Sequence, residues 1–346
     1  MNHPHPVPAS LQVCPCPPEG EEIQWSSFPF RGTSVPLDGK DRMGVGPSAT
    51  NLTPFVRRSY NQGMQNADPA LLRQLSENSL RYRDPVAAID WSRLDKADFW
   101  LPEAALSLCG LPEFDVLAPE VRRRLSQYEF INVMLAGLWL ERVFMQRVSR
   151  RLSPRLPRAD YEYFLHELRE EAGHSLMFLR AIEAGGLEVP ADAWAPPRLA
   201  DWLARRAPAA GVLFWVATVI AEDVPDKFNR HLRSVAGVNP AVQEICTVHC
   251  IDEARHIAAA RAQLEAALLR LPRAALRLLN PLARLLLRQY ARVFYVPPAR
   301  FYELSGLTHG AHWRRLALRN AAHQAFIAER LAPTVRLLEG YGFRLR

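Results

Sequence analysis

Residues 248 to 256 read VHCIDEARH, which sets His249, Glu253 and His256 at spacings of four and three. At about 100° of helix per residue these three fall in one narrow arc, so two imidazoles and a carboxylate share a face. A second stretch, REEAGH, sets Glu171 and His174 three apart in the same manner. Two more glutamates stand alone among apolar residues, Glu141 in INVMLAGLWLERVF and Glu222 in VLFWVATVIAEDV. An ionised carboxylate in such a setting is costly unless it is paired or bound to a metal. Neither stretch supplies a basic partner, because Arg142 points about 100° away from Glu141. Imidazoles and carboxylates with room for further ligands suit iron, with manganese as the close competitor.

Helices must carry these groups. From about residue 68 onward the apolar period is 3.6 nearly everywhere, and no alternating strand pattern persists. Shorter helices are predicted within 68–110, ending near Cys109-Gly110, then a long one over about 119–150 and another over 159–184, stopped by Gly185-Gly186. A third covers about 198–235, and a fourth follows Asn239-Pro240 to about 270, with Arg/Leu-rich helices beyond. Glu141 precedes Glu171 by 30 residues and Glu222 precedes Glu253 by 31. On a helical hairpin this leaves about 15 residues, roughly 22 Å, per arm, so the members of each pair meet at one height. Two Glu-x-x-His elements plus a glutamate from each partner helix form the inward-facing set of ferritin-like di-iron bundles. The expected fold is therefore all-α: a ferritin-like four-helix bundle core, about 119–270, with additional N- and C-terminal helices.

Other residues take supporting places. Asp252 and Glu170 each precede a ligand glutamate, from where a carboxylate can accept the free N–H of the opposite helix's histidine and fix its tautomer. Glu167 holds the place in its helix that His249 holds in the fourth; a supporting role and an exposed glutamate are equal readings. Pro225, three residues after Glu222, removes a helical hydrogen bond and is expected to kink the helix there. Met134 and Gly137 share the face of Glu141, Trp215 and Thr218 that of Glu222, and Cys246 that of Glu253. These five are candidates for lining a substrate pocket, with plain core packing the equal alternative.

The remaining composition narrows the class. The first 60 residues hold ten of the 28 prolines and no helical period, so residues 1–60 are expected to form a partly disordered arm and 61–346 the ferritin-like di-iron domain. The arm lacks the pattern of a secretory signal, and five cysteines form neither a disulfide framework nor zinc spacing, which fits a cytoplasmic protein. The net charge of +7 is arginine-borne, lysine occurring only at Lys40, Lys96 and Lys227. No focused basic patch with interleaved aromatics supports nucleic-acid binding; the dense stretch RVSRRLSPRLPR, 147–158, reads as a solvated helix end and loop. The run from Ala209 to Ala221 has 13 residues without charge, too short for a membrane span of roughly 20.

Over most of residues 99 to 270 the chain resembles the p-aminobenzoate N-oxygenase family, ferritin-like non-haem di-iron enzymes that oxidise amines. The resemblance is carried by FWLPEAALSLCGLPEF, GLWLERVFMQ, EEAGHSLMFLRAI, VIAEDVPDKFNRHL and NPAVQEICTVHCIDEARHIAAAR. The family's distinguishing ligand is a third histidine four residues before the second motif's glutamate, and His249 fills that position. The resemblance implies seven iron ligands, Glu141, Glu171, His174, Glu222, His249, Glu253 and His256. It also implies two iron ions, O2 as co-substrate, an external electron donor and a homodimer. The implied product is a hydroxylamine, nitroso or nitro compound in a biosynthetic pathway, from a small-molecule or carrier-tethered amine. The alternatives are C–H oxidation at the same site, or iron storage without an organic substrate, against which the extra strong ligand His249 argues. Two departures stand out: Glu170 precedes Glu171 where the family prefers Asp, and Gly173 replaces an expected arginine, which would open the wall beside that helix.

Overall fold

The computed structural model describes residues 67–345 apart from 207 and 210, so the expected N-terminal arm lies outside the described residues. Helix α1 (Pro69–Ser79) starts on Asp68, whose side chain accepts from the Ala70 N–H. The chain then runs irregularly through two short 3-10 turns, Trp91–Arg93 and Glu103–Ala105, to α2 (Pro112–Asp115). The series of short helices expected over 68–110 is thus a single three-turn helix followed by turns. The local reason is DPVAAIDWSRLDKADF, where aspartates at 84, 90 and 95 accept from backbone N–H groups two residues on and so favour turns.

Four long helices follow. Helix α3 (Pro119–Ser149) and α4 (Arg158–Gly185) form one hairpin, with Pro119 at the first helical turn and Gly186 in the left-handed region at φ 55° ending the second. The expected third helix is split. Helix α5 (Arg198–Arg206) stops short of Pro208 and Gly211, where Gly211 N–H closes a turn on Pro208 O, and α6 (Val212–Leu232) starts afresh. Helix α6 runs through Pro225 without a break. Helix α7 (Pro240–Leu268) is capped by Asn239, whose side chain accepts from the N–H groups of Ala241 and Val242. It pairs with α6 in the second hairpin, and α4 meets α7 between the two.

The remaining helices wrap this core: α8 (Arg273–Tyr295) against α3 and α6, α9 (Ala299–Leu304) against α3, α10 (Gly310–Arg319) beside it, and α11 (Ala321–Gly340) on α6. No strand occurs among the described residues beyond an isolated bridge between Phe99 and Val238. The apolar run beginning α6 is buried core, and among the described residues no helix is long and apolar enough to cross a membrane. The arginine-rich end of α3 is less solvated than its composition implies. Arg147 donates to Arg205 O, and Arg151 lies over the rings of Phe164 and Trp215, so both side chains help close that end of the bundle.

Candidate metal centre

Mid-bundle, α3, α4, α6 and α7 bring the seven residues of the proposed ligand set to one place. Their donor atoms fall into three overlapping groups: Glu141, His174, His249 and Glu253; Glu171, His174 and His256; Glu222, Glu253 and His256. Within each group the atoms lie within 4.8 Å of one another. All seven side chains are buried, Glu171, His174, Glu253 and His256 completely. The rings of His174 and His249 are 4.4 Å apart, and those of His174 and His256 are 5.6 Å apart.

The orphaned atoms show what this geometry is for. Glu171 Oε1, His249 Nε2, both carboxylate oxygens of Glu253 and His256 Nδ1 have no hydrogen-bond partner. Glu171 Oε1 and His256 Nδ1 are only 3.0 Å apart yet form no aligned bond, because both turn toward the same centre. Leaving so many buried donors and acceptors unsatisfied is expensive unless something fills the space between them. A pair of divalent cations fits: four glutamates carry a charge of about −4, which two such ions balance.

Protons otherwise have to do that balancing. Burial, with Glu171 as neighbour, pushes the Glu141 carboxyl well above its usual range, and burial with Glu253 does the same to Glu222. Burial also opposes ionisation of Glu171 and Glu253, but the adjacent histidines outweigh it and hold both lower. For His174 the hydrogen bonds to Asp252 and Glu171 overcome burial and raise its pKa to about 9, whereas burial pushes His249 down to about 4.

Each helix orients the histidine of the other. His174 Nε2 lies 3.2 Å from Asp252 on α7, and His256 Nε2 lies 3.0 Å from Glu170 on α4, which leaves both Nδ1 atoms facing the centre. Arg255 pairs with both carboxylates and ties the two arrangements together. Asn229, one side-chain amide away on α6, lies 3.0 Å from His249 Nδ1. It is the amide nitrogen that faces Nδ1; an amide flip, which exchanges nitrogen for oxygen there, would let Asn229 accept the Nδ1–H and leave the Nε2 lone pair for a metal. Arg255 and Asn229 escaped the sequence reading. Asn229 is seven residues after Glu222, two turns along the same face, so the spacing held the signal.

Glu167 is buried rather than exposed. Tyr163 donates to it at 3.4 Å, and burial lifts its pKa to about 8. Gly173 does not open the wall beside α4. The hydroxyl of Tyr82 and the ring of Pro85 pack against it, leaving no room for a Cβ, and Arg169 stacks on the Tyr82 ring at 4.5 Å.

A cavity of about 380 Å³ adjoins the cluster on the side of Glu141, Glu222 and His249. Met134, Gly137 and Thr218 line it; Trp215 and Cys246 do not. Trp215 sits two turns from Glu222, where the bundle interior is already filled, stacked on Phe164 at 6.2 Å between centroids. Cys246 is packed in the core. The cavity leaves the cluster sideways, toward α5 and α8, and helical phase alone could not reveal those later walls. Phe178, 5.3 Å from His249, and Tyr290 complete the inner end.

A family profile described as P-aminobenzoate N-oxygenase AurF matches residues 65–342. The chain is 28% identical over 268 residues to the uncharacterized proteins Rv0885 of Mycobacterium tuberculosis (strain H37Rv) and Mb0909 of Mycobacterium bovis, covering 72% of this chain and 77% of each relative. Among solved structures it is similar to a variant of an R2-like ligand-binding oxidase with an anaerobically reconstituted Mn/Fe cofactor. That match has a TM-score of 0.50 and 16% identity, and covers 84% of this chain and 96% of the other. At such identity the likeness speaks for the all-α fold alone.

Proposed function

The chain belongs to the p-aminobenzoate N-oxygenase family of di-metal oxidoreductases, and from that premise we propose that it uses two iron ions and O2 to oxidise the nitrogen of a substrate amine. The observation that carries this reading is the third histidine. His249 turns an unpartnered Nε2 to the cluster, 3.2 Å from Glu253, and at the same time forms part of the cavity wall. A site for holding exchangeable iron gains nothing from an added strong ligand beside an apolar chamber, whereas an oxygenase has a use for both.

When bound, the two metal ions would supply O2 activation and electron transfer. The protein's own work is positional. Glu141, Glu222 and His249 are the ligands that border the cavity, so a substrate nitrogen reaches the centre on their side. Asp252 and Glu170 lock His174 and His256 in the tautomers whose Nδ1 faces inward, and the Asn229 amide holds the His249 ring at Nδ1. Phe178 and the apolar walls exclude water from the nitrogen under attack. The first oxidation takes RNH2, O2, two electrons from an external donor and two protons to RNHOH and water.

The test is a mass-spectrometric screen of amines against iron-loaded, chemically reduced enzyme under 18O2. A product gaining one labelled oxygen on nitrogen supports the reading. Label on carbon, or ferric mineral with no organic product, overturns it.

A further inference from the structure

The cavity's walls bear on the substrate class, an inference that rests on the amine-oxidising reading above. On α8 the lining runs from Tyr290, buried beside the glutamates, through Leu286 and Leu285 to Leu282, which is 41% exposed. The eight steps from Leu282 to Tyr290 span roughly 12 Å of helix axis. On α6 it runs in parallel from Glu222 through Ala221 and Ala217 to Leu213, close to the solvent-exposed Arg206 and Pro208. The chamber is thus a slot with a polar floor and long apolar sides, aliphatic along α8 from Leu286 to Leu282 and partly aromatic elsewhere, at Phe144 and Phe214.

Its charges are arranged unequally. At the floor stand Glu141 and Glu222. Among the described residues that line the slot the cation is Arg206, at the solvent end, where its guanidinium lies over the Trp202 ring at 4.6 Å. A molecule with a carboxylate para to its amine, seated amine-down, would bury that carboxylate between apolar walls, with Arg206 at the solvent end as the one cation among the described lining residues. Such an unpaired buried anion is strongly disfavoured. The polar side chain free to meet a substrate at the floor is Tyr290, whose hydroxyl is buried without a partner. Burial and the neighbouring Tyr295 and glutamates raise its pKa well above normal, so it remains a neutral donor.

We propose that the substrate is an uncharged amine carrying a linear apolar tail rather than a small aminobenzoate, with the amino group at the Glu141–Glu222 floor beside Tyr290 and the tail along Leu286, Leu285 and Leu282. A slot of roughly 12 Å holds a chain of about eight to ten carbons.

The test is binding, measured by calorimetry on the full chain, both metal-free and zinc-loaded, with 4-alkylanilines of increasing tail length, the matching 4-alkylphenols and p-aminobenzoate. Each buried methylene should tighten binding about fourfold until the slot is full. p-Aminobenzoate should bind at least a hundredfold more weakly than 4-butylaniline. Leu285→Glu should abolish the dependence on tail length, its metal content reporting that the bundle is intact; Leu282→Glu should truncate it. A flat series, or p-aminobenzoate binding as tightly as 4-butylaniline, overturns the proposal. Failure of the amine-oxidising reading looks different: anilines and phenols would show the same steep series, but the iron-loaded enzyme would leave the nitrogen unoxidised.

Discussion

Replacing Asp252 by Asn keeps shape and removes charge at a point where the structure makes charge matter. The Asp252 carboxylate is 7% exposed, faces His174 Nε2 at 3.2 Å and pairs with Arg255 on its other side. An amide oxygen there can still accept the imidazole N–H but cannot raise the basicity of His174 or answer Arg255. Loss of such a partner costs about 10- to 100-fold in metal affinity, or about 1.4–2.7 kcal/mol. Glu170→Gln should act alike on His256, with which it shares a 3.0 Å contact. Because Arg255 touches both carboxylates, the double variant should depart from additivity by about 0.5 kcal/mol or more. Anaerobic titration of the metal-free protein with Co(II), followed by its visible absorption, reads these affinities directly, and circular dichroism confirms the fold. Both single variants binding within twofold of the parent would refute the idea that these carboxylates tune the ligands.

Other consequences are simpler to state. Gly173→Ala should destabilise the protein by up to about 2 kcal/mol, the cost of displacing the Tyr82 hydroxyl and crowding Pro85 less the about 1 kcal/mol that alanine gains inside a helix; denaturant unfolding measures it. Glu129, buried and bonded to the N–H and hydroxyl of Ser107, has its carboxyl pushed up to about 8, chiefly by burial. Its folded pKa exceeds its unfolded one, so it costs nothing below about pH 4.5 and progressively destabilises the fold as pH rises toward 8. Glu129→Gln should therefore flatten the stability–pH curve across that window by a few kcal/mol, and an unchanged slope would contradict the assignment. Metal ions at about 100 times their dissociation constant should stabilise the fold by about 2.7 kcal/mol per site, or about 5 kcal/mol for the pair, a gain that a chelator reverses in a thermal melt.

Much of this was written in the chain. Helices α3, α4 and α7 begin and end close to where Pro119, Gly186 and the Asn239-Pro240 cap require, because those residues act locally. The ligand spacings were legible for the same reason: three, four and seven residues on a helix fix a face whatever packs against it. The break between α5 and α6 was missed, although Pro208 and Gly211 supply it, because the apolar period continues across it. The cavity was half legible. Met134, Gly137 and Thr218 follow from helical phase, but its outer walls come from α5 and α8, whose docking depends on contacts such as Trp139 and Arg142 with Asp201 and Asn132 with Phe294 O. Such distant pairings leave no mark in local spacing. Gly173 misled because its missing side chain is replaced by Tyr82, some 90 residues earlier.

The most direct test counts the metal. Native mass spectrometry of the iron-reconstituted chain, alongside elemental analysis, should find two ions per polypeptide. Glu253→Ala should bring that to one or none, because both Glu253 oxygens face the centre unpartnered and Glu253 belongs to two of the three donor groups. A parent protein that holds a single ion or none, or a Glu253→Ala variant that still holds two with unchanged affinity, would contradict the di-metal centre on which the functional reading depends.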